Sequence, residues 1–168
     1  MSKHLDNFKC WYSDILAGLY NNPHAGFVIL MITIPLLERY LREKSGVHEG
    51  LKLTDRFYDE LRCVFPTLPD NTVAGQFWQV YRNGLLHQVT LSQRNLKNPQ
   101  MPHGWVSRQS QALEIDSSGD FSVHPVEFAK TVIQTIEDDF TTFEGSHSVN
   151  HPLSVPHSTG PTGPTGPA

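Results

Sequence analysis

The sequence predicts a mainly α fold, an up-and-down bundle of about five helices with a small β-hairpin before the last helix. Three observations predict it. Apolar residues recur at i, i+3, i+4 spacing in successive stretches. Pro, Gly and Asn fall between those stretches. The polar run Asp116-Ser117-Ser118-Gly119-Asp120 is flanked by short segments of strand-forming residues. At 168 residues the chain is long enough for one ordinary domain with a real core.

The first helix is expected from about Asp6 to Asn21, with Phe8, Trp11, Tyr12, Ile15, Leu16 and Leu19 as one apolar stripe. Asn21-Asn22-Pro23 stops it and starts the next. The second helix, about His24 to Lys44, is apolar nearly all round at first, as in the middle of a bundle. Pro35 removes one backbone hydrogen bond and is expected to kink it. Beyond Pro35, Glu38/Arg42 and Arg39/Glu43 are spaced to meet on the surface, and Ser45-Gly46 ends the helix. Thr54 is placed to cap a short third helix that buries Phe57, Leu61, Val64 and Phe65. After Pro66 and Pro69, a cap at Asp70, Asn71 or Thr72 opens a fourth helix, about Val73 to Leu91. A loop over Ser92 to Gly104 follows. Strand signals come at Trp105-Val106, Ala112–Ile115 and Phe121–Val123, the last two closing a hairpin. A hairpin alone is marginal, so it must lie against the bundle. Pro125 suits the first position of a last helix whose apolar face runs from Val126 to Phe143.

Two domains of organisation follow: a helical domain over 1–144 and a disordered tail over 145–168. From Gly145 on there is no Asp, Glu, Lys or Arg, and the chain ends in Gly-Pro-Thr repeats. The repeats share the collagen register, but they are too few to hold a triple helix unaided. The spaced His147, His151 and His157 of this tail are not expected to build a structural metal site.

The net charge of −4 argues against a protein that coats nucleic acid non-specifically, because that affinity comes from cations on phosphates. Local basic sites remain open. Two cysteines, Cys10 and Cys63, do not make a disulfide scaffold and are expected as buried free thiols in a reducing compartment. Met1–Asp6 lack the apolar run of a signal peptide, and Ala25–Leu37 is short of the roughly 20 apolar residues of a membrane span. A cytoplasmic protein with no membrane partner is expected.

The chemistry-bearing stretch is Arg82-Asn83-Gly84-Leu85-Leu86-His87. On a regular α-helix Arg82 and His87 are separated by about 140° and about 7.5 Å, so they do not share a face by spacing alone. A second chain or a local bend near Gly84 is needed to bring them to one cleft. Gly84 costs about 1 kcal/mol relative to Ala in a helix, which asks for a packing or functional reason. The residue types suit RNA cleavage. An imidazole transfers a proton to or from a ribose 2′-OH or a leaving oxygen. A guanidinium binds the scissile phosphate and offsets its growing charge. Asn83 can orient either.

This stretch resembles the ribonuclease motif of the HEPN superfamily. That motif has Arg, four to six further residues and His, with Asn, Asp or His favoured just after the Arg. Arg82, Asn83 and His87 match all three positions. Arg42 and His48 also fit the spacing, but Glu43 follows that Arg and Ser45-Gly46 breaks the helix between them. The helix order over roughly 6–143 is similar to the family bundle. The resemblance implies a metal-independent endoribonuclease without cofactor, acting as a homodimer, with catalytic Arg82, Asn83 and His87. Many such proteins are toxins or antiviral defence effectors controlled by an antitoxin or other regulatory protein. Others are non-catalytic dimerisation or partner-binding modules, which is the alternative reading here.

Around the motif, Glu38 is a candidate support that orients Arg82, or else a surface partner of Arg42. Arg94, Lys97 and Arg108 are candidate RNA-binding residues. Trp78, Tyr81 and Trp105 can stack on bases, although core packing is their ordinary role.

Overall fold

The chain is mainly helical with a small sheet, and its helix starts are written in the sequence. The computed structural model describes residues 3–48, 50–85, 102–109 and 111–145. His87, Arg94, Lys97 and the Gly-Pro-Thr tail lie outside the described residues.

Helices α1 (Lys3–Phe8) and α2 (Asp14–Leu19) are joined without a break by a π-turn, Lys9–Ser13. That turn closes i→i+5 rather than i→i+4 bonds, so it shifts the helical phase. Phe8 and Leu16 stay buried, while Trp11 and Ile15 turn outward, 39% and 54% exposed. The single apolar stripe expected here is therefore split. Cys10 and Cys63 are free but exposed, against the expectation of buried thiols. Each lies two positions from a buried residue, Phe8 or Leu61, and two positions is more than half a helical turn.

Helix α3 (Gly26–Ser45) runs through Pro35 as one element. It packs mainly on α6 (Pro125–Asp138), and also on α4 (Asp55–Val64) and α7 (Phe140–Glu144). It is not enclosed all round: Phe27, Val28 and Met31 are exposed. Gly46 ends it at φ +71°, where only a residue without Cβ is unstrained. Val47 N–H donates to the Arg42 carbonyl and Gly46 N–H to that of Glu43, a Schellman closure. Arg39 lies over the Phe143 ring, 4.7 Å from its centroid, rather than pairing with Glu43.

Thr54 stands at the N-cap of α4 without a side-chain cap bond. Asp70 does cap α5 (Asn71–Trp78), accepting from Val73 N–H at 2.9 Å. A second π-turn, Gln79–Asn83, continues α5. His124 caps α6 through Nδ1, which accepts from Glu127 N–H, and Pro125 fills the first position.

The sheet has three strands in the order β1-β3-β2: β1 is Gly104–Val106, β2 Leu113–Ile115 and β3 Phe121–Val123. Strands β2 and β3 are antiparallel, Leu113 opposite Val123. Strand β1 adds in parallel to β3, Gly104 opposite Phe121, a partner that a simple hairpin did not anticipate. Phe77 links this sheet to the helices, with ring centroids 4.9 Å from Tyr81 and 5.6 Å from Phe121. Phe65 stacks on Phe128 at 4.7 Å. Burying each such side chain contributes about 1.5–3 kcal/mol. Among the described residues no helix is long and apolar enough to cross a membrane.

Candidate functional site

Arg82 and Asn83 close the second π-turn. The separation of about 140° between Arg82 and His87 presumed α winding throughout; the helix is wound i→i+5 up to Asn83. His87 follows outside the described residues. The neighbouring Tyr81 points into the core. Its hydroxyl lies 2.7 Å from the Trp105 carbonyl and 3.1 Å from that of Phe121, sharing its one proton between them, and it accepts from Trp105 N–H at 3.1 Å. Burial raises the Tyr81 hydroxyl well above its usual range, which keeps it a donor. Gly104 lies where a Cβ would come within 2.6 Å of Val80 Cγ1 and 3.2 Å of the Tyr81 ring. A residue without Cβ is required for β1 to come this close to the helix of the motif. One face of the π-turn is thus fixed to the sheet, and Arg82 is directed to the other side.

There Arg82 meets Glu38 of α3. Arg82 Nε donates to Glu38 Oε2 at 3.1 Å. Glu38 Oε1 accepts from Arg42 Nε at 3.0 Å and Arg42 Nη2 at 2.9 Å. One carboxylate therefore holds two guanidinium groups, and the two partners weighed for Glu38 are both present. Arg82 Nη1 also donates to Asn83 Oδ1 at 3.3 Å. Arg42 Nη1 donates to the His48 carbonyl at 3.2 Å, which ties α3 to the connection leading to Lys52. Arg42 and His48, matched by spacing alone, thus meet through a backbone carbonyl.

These groups line a cleft of about 330 Å³. Its walls include Glu38, Arg42, Lys52, Tyr58, Arg82 and Asn83. The lining carries three cations, Arg42, Lys52 and Arg82, and one carboxylate, Glu38, so it is cationic in a chain whose net charge is −4. Such a lining favours an anionic ligand. The side chains of Glu38 and Arg42 are 14% and 17% exposed and that of Arg82 30%, so their interactions are only partly screened by water. Tyr58 extends the wall, and burial and the Asp55 carboxylate both raise its hydroxyl.

Of the other sequence candidates among the described residues, Trp78 lines the cleft and Arg108 and Trp105 do not. Arg108 Nη2 donates to the Asn22 carbonyl at 2.7 Å, at the turn before α3, and does not line the cleft. Trp78 contributes to the cleft wall but is largely buried against Phe57, ring centroids 5.1 Å apart. Trp105, for which core packing was the ordinary expectation, is 53% exposed because strand alternation turns it away from buried Gly104. Sequence reasoning missed Arg42, Lys52 and Tyr58 as cleft residues. The only signal for Arg42 was its i, i+4 spacing from Glu38; Lys52 and Tyr58 carried none. No protein-family model matches the chain, and neither curated proteins nor solved structures provide a match.

Proposed function

We propose that the chain is a metal-independent endoribonuclease of HEPN type, with Arg82 as phosphate binder, Asn83 as orienting residue and His87 as proton-transfer group. The observation that carries this reading is the cationic cleft to which Arg82 and Asn83 contribute, in a protein that is acidic as a whole. The reaction needs a ribose 2′-oxygen to attack the adjacent phosphorus while the 5′-oxygen leaves. The 2′-OH gives up a proton and the leaving oxygen gains one, so the products are a 2′,3′-cyclic phosphate and a 5′-hydroxyl. An imidazole serves one of these transfers, and a guanidinium stabilises the phosphorane charge. Glu38 acts on Arg82 as a positioning residue. Arg94 and Lys97 extend the RNA contact, whereas Arg108 is engaged at the turn before α3. A homodimer completes the site, and the exposed Phe27, Val28 and Met31 support such an association. A toxin or antiviral defence effector in the cytoplasm, held by an antitoxin or other regulatory protein, is the biological role that goes with this chemistry.

The test is incubation of purified protein with a mixed RNA pool in EDTA. Cleavage leaving 2′,3′-cyclic ends, abolished in His87→Ala, is expected; equal degradation by both proteins would overturn the assignment. One observation favours a second reading, a non-catalytic HEPN-like partner-binding module: Arg82 already has a carboxylate partner within the chain. A folded dimer inert toward every RNA in the pool is the result that selects it.

A further inference from the structure

We propose that the cleft is a subsite for one unpaired nucleotide, with Lys52 on a backbone phosphate and Tyr58 stacked on the base, which makes the protein selective for single-stranded RNA. This rests on the ribonuclease reading and names residues and a substrate form that it leaves open. Three observations carry the inference. First, the cleft's lining comes from two sets of elements. Arg42 and Arg82 are gathered on Glu38, whereas Lys52 and Tyr58 come from the connection before α4 and from α4 itself.

Second, the Tyr58 ring is positioned by packing. Its edge lies over Gly75, where a Cβ would be in ordinary contact with Tyr58 Cζ at 3.7 Å. Phe57 meets it edge-on at 5.6 Å. A ring fixed in this way offers a stacking face at small entropic cost, and stacking on aromatic side chains beside a cationic groove is how single strands are bound. Third, the cleft's 330 Å³ is at the small end of ligand pockets, which run from about 300 to 1,000 Å³. A base lifted from its neighbours can enter such a space. A paired base in an A-form duplex presents only its groove edges and cannot.

The experiment uses the full chain and a short RNA in two forms, cleavable and fully 2′-O-methylated, the second lacking the attacking hydroxyl. Each is offered as a single strand and annealed to its complement. The methylated single strand is expected to bind about tenfold or more tightly than the duplex. Lys52→Ala should lower the slope of log K against log salt by about 0.7, the share of one phosphate on a single strand. Tyr58→Leu keeps an apolar side chain over Gly75 but has no π face. It should raise KM about tenfold with kcat little changed, while Tyr58→Phe behaves as wild type. Equal binding of strand and duplex, or a wild-type protein that cuts RNA while Lys52→Ala and Tyr58→Leu change neither slope nor KM, would overturn the subsite alone. A wild-type protein that binds no RNA overturns both readings. Binding that depends on Lys52 and Tyr58 without any cleavage upholds the subsite and removes the nuclease.

Discussion

Replacing Glu38 by Gln tests the centre of the cleft with almost no change of shape. Glu38 accepts two bonds from Arg42, at 3.0 and 2.9 Å, and one from Arg82, at 3.1 Å. A glutamine has one carbonyl oxygen to offer. It keeps more bonds by giving that oxygen to Arg42, which turns its NH2 toward Arg82, donor against donor. The substitution therefore releases Arg82 selectively. A hydrogen bond to a charged group contributes about 1.5–3 kcal/mol, and with Arg82 30% exposed screening reduces this. The expected loss is about 1–2 kcal/mol, or about 2–8 °C in Tm for a domain of this size. Pairing Glu38→Gln with Arg82→Gln in a double-mutant cycle should give a coupling of about 1 kcal/mol. In the RNA assay kcat should fall about tenfold or more with KM changed less, because the guanidinium is misplaced rather than removed. Glu38→Asp, one methylene shorter, should restore part of both. Strictly additive effects in the cycle together with wild-type kcat in Glu38→Gln would refute the positioning role.

Tyr81→Phe should cost about 1–2 kcal/mol in urea unfolding, because Trp105 N–H loses its acceptor at a part-buried position and the Phe121 carbonyl loses a buried donor; an unchanged midpoint would remove the hydroxyl from the account of the sheet. The acid limb of stability has a contribution from Asp139, whose carboxyl is held below its usual range chiefly by a hydrogen bond from the Lys44 ammonium. That contribution is present above the unfolded pKa of about 3.9 and is lost as pH falls through the lower folded value. Lys44, raised by the same bond, loses its contribution only as pH rises through its folded pKa. With both side chains partly exposed the pair contributes about 0.5–1 kcal/mol, so Asp139→Asn should lower the urea midpoint at pH 7 and leave it nearly unchanged at about pH 2. An equal loss at both pH values would indicate packing rather than charge.

The helices were legible because their signals are local. Asp70 before an apolar stretch, Pro125 at a helix start and Gly46 at a helix end each act within one turn. What the periodicity could not foresee is the winding itself. The residue patterns of Lys9–Ser13 and Gln79–Asn83 do not differ from α-helix, yet both are π-turns. The exposure of Trp11 and Ile15 follows from the first. Tertiary pairings were likewise hidden: β1 joins β3 in parallel through contacts some 17 residues apart, as in His103 N–H to Asp120. In the cleft, Glu38 and Arg82 were found from sequence because a motif drew attention to Arg82 and a carboxylate was sought for it. Lys52 and Tyr58 enter through a connection whose course depends on Arg42 binding the His48 carbonyl, and no local rule gives that.

The second π-turn ties these observations together. An extra residue within a helix has a cost, since the i→i+5 closure is rarely used where an α-helix will serve. Here it lets two neighbours meet opposite demands. Tyr81 must reach both β1 and β3 with one hydroxyl, and Arg82 must reach Glu38 on α3. Gly104 allows the sheet to close on Val80 and Tyr81 without a clash, so the turn cannot rotate to relax without losing buried hydrogen bonds. The position of the Arg82 guanidinium is therefore set from two sides, by the sheet through its neighbour and by Glu38 through its own nitrogen. A residue meant only to decorate the surface needs neither constraint, whereas both serve the role proposed for Arg82, a phosphate binder that must hold its guanidinium at a fixed distance.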